Sequence, residues 1–119
     1  MPREDLGKKV DLAFLSAFYG GMLTERQRQV LSLHCEEDFS LGEIAQEVGI
    51  SRQAVHETIL RASAKLEEME AALGVAARFR KMETGLEQAL SALHHQQYDR
   101  AEALLTELLH LEQEESNGL

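Results

Sequence analysis

Apolar positions recur along most of this chain at three- and four-residue spacing, the period of an amphipathic helix. In residues 4–19, Leu6, Val10, Phe14 (with Leu15 beside it) and Phe18 form one stripe, ended by Gly20 and Gly21. Thr24 to Gln27 has the Thr-x-x-Gln form of a capping box and opens a second helix to about Cys35, with Val30, Leu31 and His34 inward. Glu36, Glu37 and Asp38 make an acidic turn. Ser40 with Glu43 is a second capping box, and Phe39 stands where it can staple against Ile44.

The stretch SLGEIAQEVGISRQAVHETI, residues 40–59, has helix-turn-helix spacing. Ile44, Ala45 and Val48 face inward, Gly49 supplies the turn, Ile50 fills the angle, Ser51 caps the second helix, and Val55 and Ile59 pack it back. The short side chain of Ala45 lets the two helices cross closely. From Arg52 no breaker follows before Gly74, so the fourth helix spans 52–73, about 33 Å long at 1.5 Å per residue. Along it Val55, Ile59, Ala62, Leu66, Met69 and Leu73 form an a/d heptad stripe. That stripe either packs within the chain, against helices one and five, or pairs with its twin in a homodimer through Ile59, Ala62, Leu66, Met69 and Leu73.

A fifth helix covers 76–94, with Phe79, Met82, Leu86, Leu90 and Leu93 on one side. Asp99 with Glu102 reads as a capping box for a sixth, running to about Glu114 with Leu104, Leu105, Leu108 and Leu111 inward, and Ser116 to Leu119 as a frayed end. This pair faintly resembles one tetratricopeptide-type hairpin without a second copy, and reads as an antiparallel hairpin laid on the long helix. The expectation is therefore an all-α chain: a helix-turn-helix unit in residues 1–74 and a hairpin in 75–119, forming one compact unit.

Composition narrows the chemistry. The chain has 119 residues, one proline and one cysteine, and a net charge of −9. Residues 1–74 hold 13 acidic and 8 basic side chains (−5) and residues 75–119 hold 8 and 4 (−4). The lone Cys35 cannot form an internal disulfide, no apolar run is long enough for a membrane, and no signal-peptide pattern opens the chain, so the expected setting is the cytoplasm. His34 and Cys35 are adjacent, as are His94 and His95, without metal-ligand spacing, and Ser40 and Ser51 read as caps rather than nucleophiles. Neither an enzyme nor a cofactor is expected.

The helix-turn-helix instead offers a nucleic-acid face: Arg52, Gln53 and His56 at the start of helix four, then Arg61 and Lys65, with Arg26 and Arg28 on helix two to hold flanking backbone. Glu57 and Leu60 interrupt that face, and the acidic balance opposes phosphate.

With LTERQRQVL before the turn, DFSLGEIAQEVGISRQAV through it and a long acidic continuation, the chain resembles the YlxM family of small bacterial helix-turn-helix proteins over about residues 14–80. It resembles more distantly region four of RNA-polymerase sigma factors, although the other sigma regions have no room here. The YlxM resemblance implies a sigma region four-like fold. It also implies a regulatory or accessory role in the signal recognition particle pathway, since such proteins are encoded beside the particle's GTPase and its receptor. The partner would be the particle's RNA or its GTPase. A DNA-binding regulator reading the major groove, and a protein-interaction module, are the other two readings.

Overall fold

The computed structural model describes residues 2–117, with the side chains of residues 7–111 and 113. Six α-helices follow one another: α1 (Pro2–Tyr19), α2 (Glu25–Cys35), α3 (Leu41–Val48), α4 (Arg52–Leu73), α5 (Val75–His94) and α6 (Tyr98–Asn117). They divide into two compact units, residues 1–76 and 77–119, with the boundary inside the first turn of α5.

Local chemistry sets each boundary in the first unit. Thr24 Oγ1 accepts from Gln27 N–H while Gln27 Oε1 accepts from Thr24 N–H, so the box at the start of α2 is complete. Ser40 and Glu43 repeat it at α3, with both bonds formed. Gly49 ends α3 with φ 80°, in the left-handed region that costs a side chain energy but glycine nothing. Ser51 Oγ accepts from Ala54 N–H at the start of α4, and Gly74 ends α4, again left-handed at φ 63°.

The core of this unit gathers Tyr19, Leu23, Val30, Leu31, Ile44, Ala45, Val55, Ile59, Ala62 and Leu66, with Phe39, Ile50, Met69 and Val75 packed against it. The long stripe of α4 is thus used inside the chain. Its neighbours within the first unit are α1, as expected, together with α2 and α3, and Val75 at the start of α5 packs against the same core. Ile59, Ala62 and Leu66 are buried and Met69 is half-buried, so those four are not free to meet a twin; Leu73 alone is well exposed, at 60%. On α1 the inward line is Leu12, Leu15, Phe18 and Tyr19, while Val10 faces solvent, because α1 must turn its Tyr19 edge toward α4. Leu6 lies outside the described side chains.

Tyr19 fixes the end of the unit. Its hydroxyl donates to Glu70 Oε1 at 2.6 Å and accepts from Val75 N–H at 3.1 Å, and Glu70 Oε1 also accepts from Ala76 N–H at 3.0 Å. Two N–H groups at the start of α5, which have no partner within their own helix, are satisfied this way. Burial and then the bond to Glu70 push the Tyr19 phenol up, so it stays a donor.

In the second unit α5 and α6 form a hairpin. The turn passes through Gln96 in the left-handed region (φ 59°), and Gln97 O receives Ala101 N–H, so α6 starts at Tyr98. Asp99 therefore sits in the first turn rather than at the cap, and α6 runs past Glu114 to Asn117. The inner residues also differ from expectation. Leu108 is buried as expected, but its buried companions are Ala89, Ala92 and Ala101, and a methyl group on Gly85 would meet Leu108 Cδ2 at 2.5 Å. Leu105, expected inward, is exposed, and so are Phe79, Leu86, Leu90 and Leu93, expected on one side of α5. Small residues let the helices approach closely, and this rotates the leucines out.

Candidate nucleic-acid interface

The second helix of a helix-turn-helix presents its first turns outward when α3 holds it from behind. Here Val55 and Ile59 anchor α4 in the core, and Arg52, Gln53, His56 and Glu57 on the intervening positions are all exposed. Arg52 is the first residue of the helix. Its guanidinium lies across the first turn of α3: a methyl group on Gly42 would stand 2.7 Å from Arg52 Nη2. The absence of a side chain at Gly42 thus lets the one cation at the start of α4 settle beside the start of α3. At each of these helix ends some N–H groups point outward, and both favour negative charge.

The other candidates do not join that group. At about 100° per residue, Arg61 and Lys65 lie well over 100° round α4 from His56, on a different side of the helix. Arg26 and Arg28, two positions apart, sit on opposite flanks of α2 by the same geometry. Arg28 lines a small cleft between α1 and α2 with Ser16, Ser32 and Glu36, so the pair cannot grip one stretch of backbone. All seven side chains are exposed. Arg52, Gln53 and His56 form one end, and the other four are dispersed.

Leu60, 55% exposed, belongs to a different feature. With His56 it borders an open groove of about 780 Å³ floored by Leu12, Leu15, Phe39, Leu41 and Ile59 and edged by Lys8, Lys9 and Glu67. Lys9 Nζ donates to Asp38 Oδ1 at 2.6 Å, tying α1 to the loop before α3 and holding the Asp38 carboxyl below its usual range. The leucine that interrupts the polar face of α4 is one wall of an apolar groove. The sequence signalled Leu60 as out of place, but the other wall is 45 residues away on α1 and no local pattern points to it.

Among the described residues no three His, Cys, Asp or Glu side chains gather as a metal site, and no helix is long and apolar enough to cross a membrane. Burial pushes the half-buried Cys35 thiol up, away from the thiolate form that nucleophilic chemistry needs.

Residues 6–108 match a family profile described as "Putative helix-turn-helix protein, YlxM / p13 like". The chain belongs to this family. Its relatives include a UPF0122 protein of Halalkalibacterium halodurans, 45% identical over 91 residues, which are 76% of this chain and 84% of the relative. A UPF0122 protein of Symbiobacterium thermophilum is 41% identical over 97 residues, 82% of this chain and 91% of its own. One from Lacticaseibacillus casei is 38% identical over 104 residues, 87% and 92% of the two chains. The match runs through both units, so the hairpin to residue 108 is family architecture, beyond the stretch where the motif alone pointed to it.

Proposed function

We propose that this protein is a regulatory, non-enzymatic component of the signal recognition particle pathway, acting on the particle's RNA or its GTPase through the helix-turn-helix. The single observation that supports the reading best is the exposed end of α4. Arg52, Gln53 and His56 stand together there, with the Arg52 guanidinium over Gly42, in a chain of the YlxM-like family. The family resemblance implies the pathway, and the exposed end supplies groups for phosphate and base edges. With a net charge of −9 and few cations on that face, binding is weak and salt-sensitive, as suits an accessory protein better than a stable particle subunit.

The test is binding of the full chain at low salt to a transcript of the particle's RNA and, separately, to the purified GTPase. The expected result is retention of one of them, with Arg52→Ala weakening RNA binding and lowering its salt slope by about one. Retention of neither overturns the reading.

A second reading has its own support. An open helix start carrying Arg, Gln and His fits a major groove, which favours DNA. Selection from random duplexes that returns a sequence preference, lost in Gln53→Ala, would put DNA in the RNA's place.

A further inference from the structure

The hairpin of residues 77–119 buries little of its own apolar surface. Among its described residues three alanines and Leu108, over Gly85, are buried, while Leu86, Leu90 and Leu93 of α5 and Tyr98, Leu105 and Leu109 of α6 are each between 41 and 65% exposed. These six share one face. At about 100° per residue, the α5 leucines lie roughly 90° round their helix from the buried line Gly85, Ala89, Ala92. Tyr98, Leu105 and Leu109 lie roughly 70° round α6 from the buried line Ala101, Leu108. The helices run antiparallel, so equal rotations in sequence are opposite in space, and both stripes emerge on the same broad side. The reverse side carries Lys81, Thr84 and Gln88 of α5 and Glu107 of α6 around a shallow hollow that Leu104, Leu108 and Leu111 also line.

We propose that this leucine face is the interface of a homodimer, in which two hairpins pack face to face as a four-helix bundle. The exposed area points to a second copy. The six side chains present on the order of 600 Å² on each protomer, approaching the ~800 Å² per partner of a stable protein interface once the rim is added. The shape points the same way. The face is two helices wide, and a second hairpin covers both stripes along their length. A two-fold axis through the face sets the α5 stripe of one copy against the α6 stripe of the other, the self-complementary arrangement a symmetric dimer requires. The bundle also adds to the thin core of an alanine-lined hairpin. Glu83, Glu87 and Glu102 flank the leucines and are exposed, so in the dimer like charges approach at the rim. The inference is independent of what the helix-turn-helix binds.

Sedimentation equilibrium of the full chain tests it. A dimer is expected at about 50 µM, tighter in 0.5 M than in about 0.05 M salt because the acidic rim is screened. Leu90→Glu and, separately, Leu109→Gln weaken association roughly tenfold or more while the helical circular dichroism signal is retained. Leu60→Glu, on the first unit, leaves it unchanged. Two outcomes overturn the proposal: a monomer at that concentration, whatever other protein then covers the face, or dimerisation that survives both hairpin substitutions. A dimer that salt dissociates overturns it too, because charge rather than the leucine face would then hold the copies together. Should Leu90→Glu fail to fold, Leu109→Gln decides, since it adds no charge at the position.

Discussion

Tyr19 and Glu70 show how much of this molecule rests on a few polar atoms. The phenol and the carboxylate between them satisfy two N–H groups where α4 gives way to α5. Tyr19→Phe keeps the ring and its packing but strips Glu70 and Val75 of a partner, in a part-buried site. The expected cost is about 1–3 kcal/mol, measured as a lower urea midpoint with an unchanged slope. Glu43 offers a pH readout at the same scale. The hydrogen bond from Ser40 N–H, then that involving the Ser40 side chain, holds its carboxyl below the ordinary value of 4.5. A depressed carboxyl contributes stability in full above that ordinary value, and the contribution is lost as pH falls through the lower, folded-state value. Gln27 fills the corresponding position at α2 without titrating. Glu43→Gln should therefore retain the box, and the stability difference between wild type and variant, followed by urea unfolding from pH 7 to 3, should move in the variant's favour only below the ordinary carboxylate value. A difference that stays flat across that range would mean the box does not titrate.

At the scale of elements, the turn between α3 and α4 depends on backbone shape alone. Gly49 stands at φ 80° and an added Cβ would meet nothing within 4 Å, so Gly49→Ala carries a purely conformational cost of about 1–2 kcal/mol. Gly21 is equally open but has no positive φ, and Gly21→Ala should be neutral or slightly stabilising by about 0.4–1 kcal/mol. Thermal unfolding of the pair separates backbone strain from crowding. These features were legible from sequence because caps and turns are written in neighbouring residues: Thr24 with Gln27, Ser40 with Glu43, and Gly49 before Ser51 each need a partner at most three positions away. The hairpin was not legible in the same way. Leu86, Leu90 and Leu93 have helical spacing, but so does the line Gly85, Ala89, Ala92, and periodicity cannot say which of two apolar stripes faces inward. The scattering of Arg26, Arg28, Arg61 and Lys65 around their helices was in principle computable from spacing. The Arg52 contact with Gly42 was not, since it depends on the crossing of α3 and α4.

For the whole molecule, the position of the core matters most. Every residue of the buried cluster lies between Tyr19 and Leu66, and the residues packed against it run from Leu12 to Val75. The bond from Ala76 N–H to Glu70 Oε1 also lies within this unit. A fragment ending at residue 76 therefore keeps its whole core, both capping boxes and the Arg52 end, though it loses the rest of α5. Such a fragment should unfold cooperatively in urea, with a slope reduced in proportion to the surface it no longer buries. Among the described residues of 77–119, three alanines and one leucine are buried, a thin interior for a chain of that length, and the fragment alone should show low helicity at micromolar concentration. Circular dichroism of the two fragments checks both statements, and a fragment 1–76 that melts without a cooperative transition would show that the helix-turn-helix depends on the hairpin. If the first fragment folds, it also separates binding from assembly. It should retain whatever nucleic-acid affinity Arg52, Gln53 and His56 confer while sedimenting as a monomer, because the leucine face is gone and Ile59, Ala62 and Leu66 are already buried.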